Sequence, residues 1–264
     1  MQFVAVNGVT LHYKFVDAGA GKPVIVFANS LGTDFRIWDA IVEGMSGSCS
    51  FLLYDKRGHG LSSEGSPPYK MEDHIADVEA LIEHVGLRDV LICGLSVGGM
   101  IAQGISLKRP DLIKAAVLCD TGHKIGTADM WQERIAGLEA GGLEPMVDAI
   151  MERWFTESFR REDNPVFQGC KSMLARQNLG GYIGTCHALR DADFTNELSN
   201  LKMPVLCVVG DQDLSTPPEL VRELCGLIEG AELLEIKDAG HIPCVEQPAQ
   251  LIAGLSSFLQ KHLS

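Results

Sequence analysis

The chain has eight cysteines but no Cys-x-x-Cys pair, which removes zinc-ribbon and dithiol-redox patterns. Three of them, Cys93, Cys119 and Cys207, sit inside apolar strand-like runs, so free buried thiols in a reducing compartment are expected. The eight histidines include no His-Glu-x-x-His or His-x-His spacing, and no metal site is indicated. Positive charge is scarce: 22 Lys and Arg stand against 35 Asp and Glu, a formal net charge of −13. That balance argues against nucleic acid or an anionic membrane as a partner, because both are gripped by clustered Lys and Arg. No apolar run is long enough to span a bilayer, and no basic stretch leads into an apolar one at the start. A soluble, cytoplasmic chain is expected. Internal repeats and low-complexity segments are also missing.

What is present is an ordinary globular composition, 46% hydrophobic and 22% charged over 264 residues, enough for one large domain with an insertion. Short apolar runs predict strands at Gln2–Ala5, Leu11–Phe15, Val24–Ala28, Phe51–Tyr54, Val90–Leu95, Ala115–Leu118, Val205–Val209 and Leu233–Ile236. The later runs are continuous rather than alternating, as in central strands covered on both faces. Helical spacing appears between them, for example Ile75, Val78, Leu81, Ile82 and Val85 ahead of Gly86, and again near 98–108, 218–228 and 250–262. Such alternation predicts an α/β fold with a doubly wound, mostly parallel sheet. An antiparallel hairpin about Gly8-Val9 is expected at its edge. The rhythm breaks over 122–201, which has helical composition and no convincing strand. We expect a core of 1–121 and 202–264, with 122–201 forming a helical cap over the carboxyl edge of the sheet, where open α/β sheets bind ligands.

Gly94-Leu95-Ser96-Val97-Gly98 joins a predicted strand to a predicted helix, the context that makes G-x-S-x-G a nucleophile elbow. A sharp turn there forces the serine into a strained backbone and leaves no room for side chains on the flanking glycines. The Val97 N–H, at the helix N-terminus, can face a developing oxyanion. A serine hydroxyl needs a base, and the base needs a carboxylate to orient it. The two follow the serine in the order acid, histidine, each in a loop after a strand. Gly210-Asp211-Gln212-Asp213 and Asp238-Ala239-Gly240-His241 supply them. His241 is the expected general base and acid. Asp213 is the preferred orienter, with Asp211 the competing carboxylate and Asp238 too close in sequence to hold the ring. Of the remaining histidines, His74 and His84 are expected on a solvated helix, His12 on an edge strand, His262 near the terminus and His59 in a structural loop. The second oxyanion donor should come from Asn29-Ser30-Leu31-Gly32-Thr33, with the Leu31 N–H the candidate by position. One such donor is worth about 3–4 kcal/mol of transition-state stabilisation.

Together Asp55-x-Arg57-Gly58-x-Gly60-x-Ser62, Gly94-x-Ser96-x-Gly98-Gly99, Gly210-x-x-Asp213 and Gly240-His241 resemble the α/β-hydrolase fold family over essentially the whole chain. The resemblance implies fold and nucleophilic chemistry, not substrate. A narrower one rests on Asn29-Ser30-Leu31-Gly32-Thr33 with Trp38, on Cys93-Gly94-Leu95-Ser96, and on stretches within 122–201. These are Lys124-Ile125-Gly126, Trp131 with Arg134-Ile135-Ala136, Glu152-Arg153-Trp154-Phe155-Thr156 and Arg190-Asp191-Ala192-Asp193. They are similar to 3-oxoadipate enol-lactonases, which open a five-membered lactone bearing an acetate arm in bacterial aromatic catabolism. That resemblance implies no cofactor and a small anionic lactone as substrate. Asn29-Ser30 departs from the His-Gly that many α/β hydrolases carry, and Val97 stands where the narrower group often has Met.

An anionic ligand in an acidic protein calls for a local cation. Arg134 and Trp131 are the candidates for the acetate arm, Trp154 for an apolar wall and Ser30 for a contact beside the oxyanion loop. The bland alternatives are a surface arginine and two core tryptophans. Other functions stay open on the same fold: a carbon–carbon bond hydrolase, a general carboxylesterase, or a ligand-binding signalling protein with slow turnover. Direct attack by water, with Ser96 only orienting the substrate, also stays open. The sequence does not report oligomeric state, and a homo-oligomer is compatible with it.

Overall fold

The computed structural model describes residues 1–263, and in it all eight expected strands form a single sheet. They are β1 (Gln2–Val6), β2 (Val9–Val16), β3 (Val24–Ala28), β4 (Ser50–Tyr54), β5 (Val90–Leu95), β6 (Ile113–Cys119), β7 (Val205–Gly210) and β8 (Glu232–Ile236). Their order is β1-β2-β4-β3-β5-β6-β7-β8. Strands β4 to β8 and β3 pair in parallel, whereas β1–β2 and β2–β4 are antiparallel. The β1–β2 hairpin has a two-residue turn, Asn7 and Gly8, both at positive φ (46° and 75°). A tight hairpin needs that geometry because its twist matches the flanking strands.

Helices α1 (Asp39–Gly44), α2 (Met71–Val85) and α3 (Val97–Lys108) connect β3, β4, β5 and β6 in turn. Every residue of β4, β5 and β7 is buried, as continuous apolar runs require when helices cover both faces. In α3 the first ten of twelve residues are buried, and this helix leaves the sheet directly behind Ser96. Between β6 and β7 lie α4 (Ala128–Gly141), α5 (Val147–Trp154), α6 (Pro165–Ala175) and α7 (Leu179–Asp191), with no strand in that stretch. Helices α8 (Pro218–Gly226), α9 (Pro243–Glu246) and α10 (Pro248–His262) complete the chain. None of these helices is long and apolar enough to cross a membrane.

Local chemistry starts the inserted helices. The Thr127 hydroxyl accepts from Met130 N (3.2 Å), Asn164 from Val166 N (3.0 Å) and Asn178 from Gly181 N (2.7 Å). Each such N-cap contributes about 1 kcal/mol. Helix α7 then seats on the core through a glycine–glycine contact. A Cβ on Gly58, which has φ +68°, would lie 2.3 Å from the Gly181 Cα. The Arg57 guanidinium beside it makes two bonds to Asp77 of α2, at 2.7 and 2.8 Å. The Asp55–Gly60 loop is therefore fixed from below by α2 and covered from above by α7.

Candidate active site

Ser96 has φ 59° and ψ −118°, a conformation that costs a non-glycine residue about 1–3 kcal/mol. The surroundings hold it there. Ser96 N donates to Cys119 O (3.0 Å), and Ser96 O accepts from Gly99 N (2.8 Å) and the Thr121 hydroxyl (2.7 Å). The flanking glycines are required by close approach. A Cβ on Gly94 would sit 2.0 Å from Gly98 O, and one on Gly98 would sit 2.0 Å from Ala28 O. The turn thus presses the elbow against β3 and projects the hydroxyl from the carboxyl edge of β5.

The loops after β7 and β8 bring His241 and Asp213 together. His241 Nδ1 lies 2.8 Å from Asp213 Oδ2, with both side chains almost wholly buried. The other carboxylate oxygen accepts from Ser215 N (2.7 Å) and Thr216 N (3.1 Å). The Thr216 hydroxyl donates to Asp213 Oδ2 at 2.7 Å and lies 3.2 Å from His241 Nδ1. Burial works to raise the Asp213 pKa, but the His241 imidazole and these donors outweigh it and hold the carboxyl below its ordinary value. Asp211 instead accepts from Ala239 N (3.3 Å), tying the two loops to each other. His241 and Ser96 line one cavity, and no hydrogen bond joins them within the described residues. Such contacts are commonly long before a substrate arrives.

A third carboxyl, Asp120 at the end of β6, was not legible as part of this group. It is fully buried, and its Oδ1 accepts from Gly210 N at 2.8 Å. One oxygen from Asp120, one from Asp213 and a ring nitrogen of His241 all lie within 4.8 Å of one another. Burial, reinforced by the Asp213 charge, pushes Asp120 well above the usual carboxylate range. The two carboxyls are thus pushed in opposite directions, Asp120 up and Asp213 down.

Beyond β3, Asn29 locks the next loop. Its amide donates to Tyr54 O (2.8 Å), and its oxygen accepts from the Trp38 indole (2.9 Å). Neither the Leu31 N–H nor the Val97 N–H finds an acceptor among the described residues. Leu31 lines the cavity with Ser96, whereas Val97, next to Ser96 in the chain, is fully buried and not among the lining residues; an oxyanion hole needs such free amides.

The cavity measures about 560 Å³, within the range of small-ligand sites. Ser30, Leu31, Ser96, Thr216 and His241 form its floor, and α4, α5 and α7 supply Trp131, Arg134, Ile150, Trp154, Tyr182 and Leu189. All four substrate-contact candidates therefore border the same space. Trp131 needs one correction as a carboxylate donor. Its indole N–H is taken by Ile125 O at 2.6 Å, so only its ring face is available. Arg134 has capacity to spare. Its guanidinium lies 5.7 Å from the Trp131 ring centre and 6.0 Å from that of Tyr182. Its Nε has no hydrogen-bond partner, and no carboxylate pairs with it among the described residues. Trp154 is buried and forms a wall. Arg153 also lines the cavity, a second cation that sequence reasoning passed over because it lies in a charged helical run.

Two histidine expectations fail. His74 is buried, not solvated: it falls on the same helical face as Val78 and Leu81, and its ring stands edge-on to Tyr69 at 5.6 Å. Burial holds it neutral, pushing it well below its ordinary pKa. His12 is not on an edge strand, because β1 pairs outside β2. It is buried and bonds Asp55 Oδ2 at 2.8 Å. Glu246 is a further missed residue. It accepts from Gly240 N (2.8 Å), Thr156 N (3.1 Å) and the Thr156 hydroxyl, while His241 N donates to Trp154 O (2.8 Å). The histidine loop is thereby stitched to the end of α5.

Comparison with known proteins adds relatives to this geometry. A family model described as alpha/beta hydrolase fold matches residues 23–248. A 3-oxoadipate enol-lactonase 2 from Acinetobacter baylyi is 33% identical over 87% of this chain and 85% of the relative. The crystal structure of an enol-lactonase from Burkholderia xenovorans LB400 superposes with a TM-score of 0.94 at 32% identity, covering 98% of this chain and 100% of that one. A malate-bound thermophilic esterase from Thermogutta terrifontis superposes with a TM-score of 0.92 at 25% identity, covering 100% of each chain.

Proposed function

The chain belongs to the α/β-hydrolase fold family, and from that footing we propose that it opens the lactone ring of 3-oxoadipate enol-lactone to give 3-oxoadipate. Ser96 is the nucleophile, His241 its base and Asp213 the group that orients and stabilises the imidazolium. Residues 122–201 serve as the cap that shapes the pocket. His241 takes the Ser96 proton as the oxygen attacks the lactone carbonyl, and the Leu31 and Val97 amides receive the oxyanion. Collapse breaks the ring C–O bond. The enolate leaves, accepts the proton from His241 and tautomerises to the ketone. Water, deprotonated by His241, then attacks the acyl-Ser96 ester and releases the second carboxylate. The chemistry needs no cofactor.

The observation that carries the substrate assignment is Arg134. It is an unpaired cation in an otherwise acidic protein, facing the cavity that Ser96 and His241 share. A neutral ester gives such a group nothing to bind, whereas an acetate arm satisfies it. The lactonase relatives support this reading, and so does an esterase relative that holds a dicarboxylate. A charge-assisted hydrogen bond is worth about 1.5–3 kcal/mol. Arg134→Ala should therefore raise KM for the carboxylated lactone about 10- to 100-fold, with a far smaller change for an uncharged analogue. Steady-state kinetics on the pair checks this, and equal effects on both substrates would remove Arg134 from the site.

A further inference from the structure

The side chain that the mechanism leaves unused, and that the fold treats most extravagantly, is Lys56. It is 1% exposed, in the loop after β4, and its ammonium donates to Ser30 O at 2.5 Å. No ion pair to a carboxylate forms among the described residues, and Asp55 and Asp34 act on it only at longer range. A buried ammonium without a paired carboxylate opposes folding, so stability does not explain its presence. Nor does the carbonyl need it. Ser30 O already accepts from the Thr33 hydroxyl (2.9 Å) and from Thr33 N (3.3 Å). Three donors converge on an oxygen with two lone pairs.

The Ser30 carbonyl and the Leu31 N–H belong to one planar, resonance-coupled peptide unit. A cation on the oxygen draws charge through the C–N bond and makes the N–H more positive, the cooperative effect expected of linked hydrogen bonds in a low-dielectric interior. We propose that Lys56 is a positioning residue that locks and polarises the Ser30–Leu31 peptide, so that the Leu31 N–H is preset as an oxyanion donor. This rests on the serine-hydrolase reading above, with Leu31 in the oxyanion hole. The direction of the effect is specific. A ground-state carbonyl gains little from a sharper N–H, whereas a full negative charge gains much, so Lys56 acts on the transition state.

The surroundings act on its charge in opposite directions. Burial pushes Lys56 down to about 7, while Asp55 and Asp34 pull the other way. His59 on the loop and His74 on α2 are pushed well below their ordinary values, chiefly by burial and further by the Lys56 charge. Neither histidine competes with Lys56 for positive charge.

The test is Lys56→Met, which keeps the aliphatic stem and removes the charge. The substrate is p-nitrophenyl acetate, so that the result does not depend on lactone turnover. Active sites are counted by fluorophosphonate titration. The account expects kcat per titrated site to fall about tenfold, less than the about 10²- to 10³-fold attached to losing a whole donor, with KM within about twofold. Affinity for a phenylboronic acid, which places an oxyanion in the hole, should fall by the same factor as kcat/KM, and the melting temperature should hold or rise. A variant with wild-type kcat per titrated site, or one whose only change is thermal stability, would overturn the proposal. If the Met variant does not fold, Lys56→Gln keeps a neutral donor and should give an intermediate loss. Wild-type kcat in that variant would overturn the proposal equally. Loss of the serine-hydrolase reading is seen separately, as ester cleavage that survives Ser96→Ala.

Discussion

Ser96→Ala is expected to abolish turnover, lowering kcat by about 10⁴-fold or more on lactone and ester alike while leaving the fold intact. The proposed mechanism makes the hydroxyl the bond-forming atom, which is why the expected loss is large. Stability should change little. Alanine occupies the same strained backbone, and the bonds that hold the turn come from the Ser96 main chain to Gly99, Thr121 and Cys119. The measurement is single-turnover kinetics with mass analysis of quenched protein. Wild type should carry a transient acyl mass on the peptide containing Ser96, and the variant none. Direct attack by water, with Ser96 only orienting the substrate, predicts a loss of about tenfold and no acyl adduct in either protein.

Asp213→Asn should lower kcat by about 10⁴-fold with KM nearly unchanged, because an amide at that place favours the wrong imidazole tautomer and cannot stabilise imidazolium. The shape should survive. An Asn oxygen can still accept from Ser215 N and Thr216 N, as Asp213 does now. The acid side of the stability profile gives an independent check. Asp213 is held below its ordinary pKa in the folded protein, so its stabilising contribution is fully present above the unfolded Asp value of about 4. That contribution is lost as the pH falls through the lower folded value. The melting temperatures of wild type and D213N should therefore differ near neutral pH and converge under strongly acidic conditions. An Asp213→Asn enzyme with activity within about tenfold of wild type would shift the orienting role to another carboxylate, Asp120 being the nearest.

The sequence made legible those features whose cause is local. Strands β3, β4, β5 and β7 announce themselves because burial on both faces favours continuous apolar runs. Gly94 and Gly98 follow from the steric demands of one turn, and the structure supplies the clashing atoms, Gly98 O and Ala28 O. The shared location of Ser96, Asp213 and His241 is readable because each stands just past a strand, at the one edge where such loops converge. Residues whose meaning depends on a distant partner were hidden. Lys56 reads as an ordinary charge in a loop until its ammonium is seen on a carbonyl 26 positions earlier. Glu246 looks like a solvated helix residue until Thr156, 90 positions away, donates to it. Thr216 gains its place from a turn that brings its hydroxyl back to Asp213. His74 was misassigned although its helical phase, shared with Val78 and Leu81, marked the buried face. His12 reads as an edge residue because strand order is a tertiary fact: β1, itself expected, takes the edge and leaves β2 inside it. In the inserted helices the aromatic and basic residues were visible as a set, but which of them line the cavity was not. There, packing spends the Trp131 indole on Ile125 and leaves Arg134 without an acid.

The central claim is that a nucleophilic serine and an unpaired arginine share one cavity in order to open an anionic lactone. It is tested most directly by steady-state turnover of 3-oxoadipate enol-lactone by the wild-type protein, beside p-nitrophenyl acetate under the same conditions. The account predicts kcat/KM for the lactone of at least about 10⁵ M⁻¹s⁻¹, ordinary for an enzyme on its own substrate, and at least about 100-fold above the neutral ester. Lactone loss no faster than in buffer, alongside brisk cleavage of the neutral ester, would contradict it.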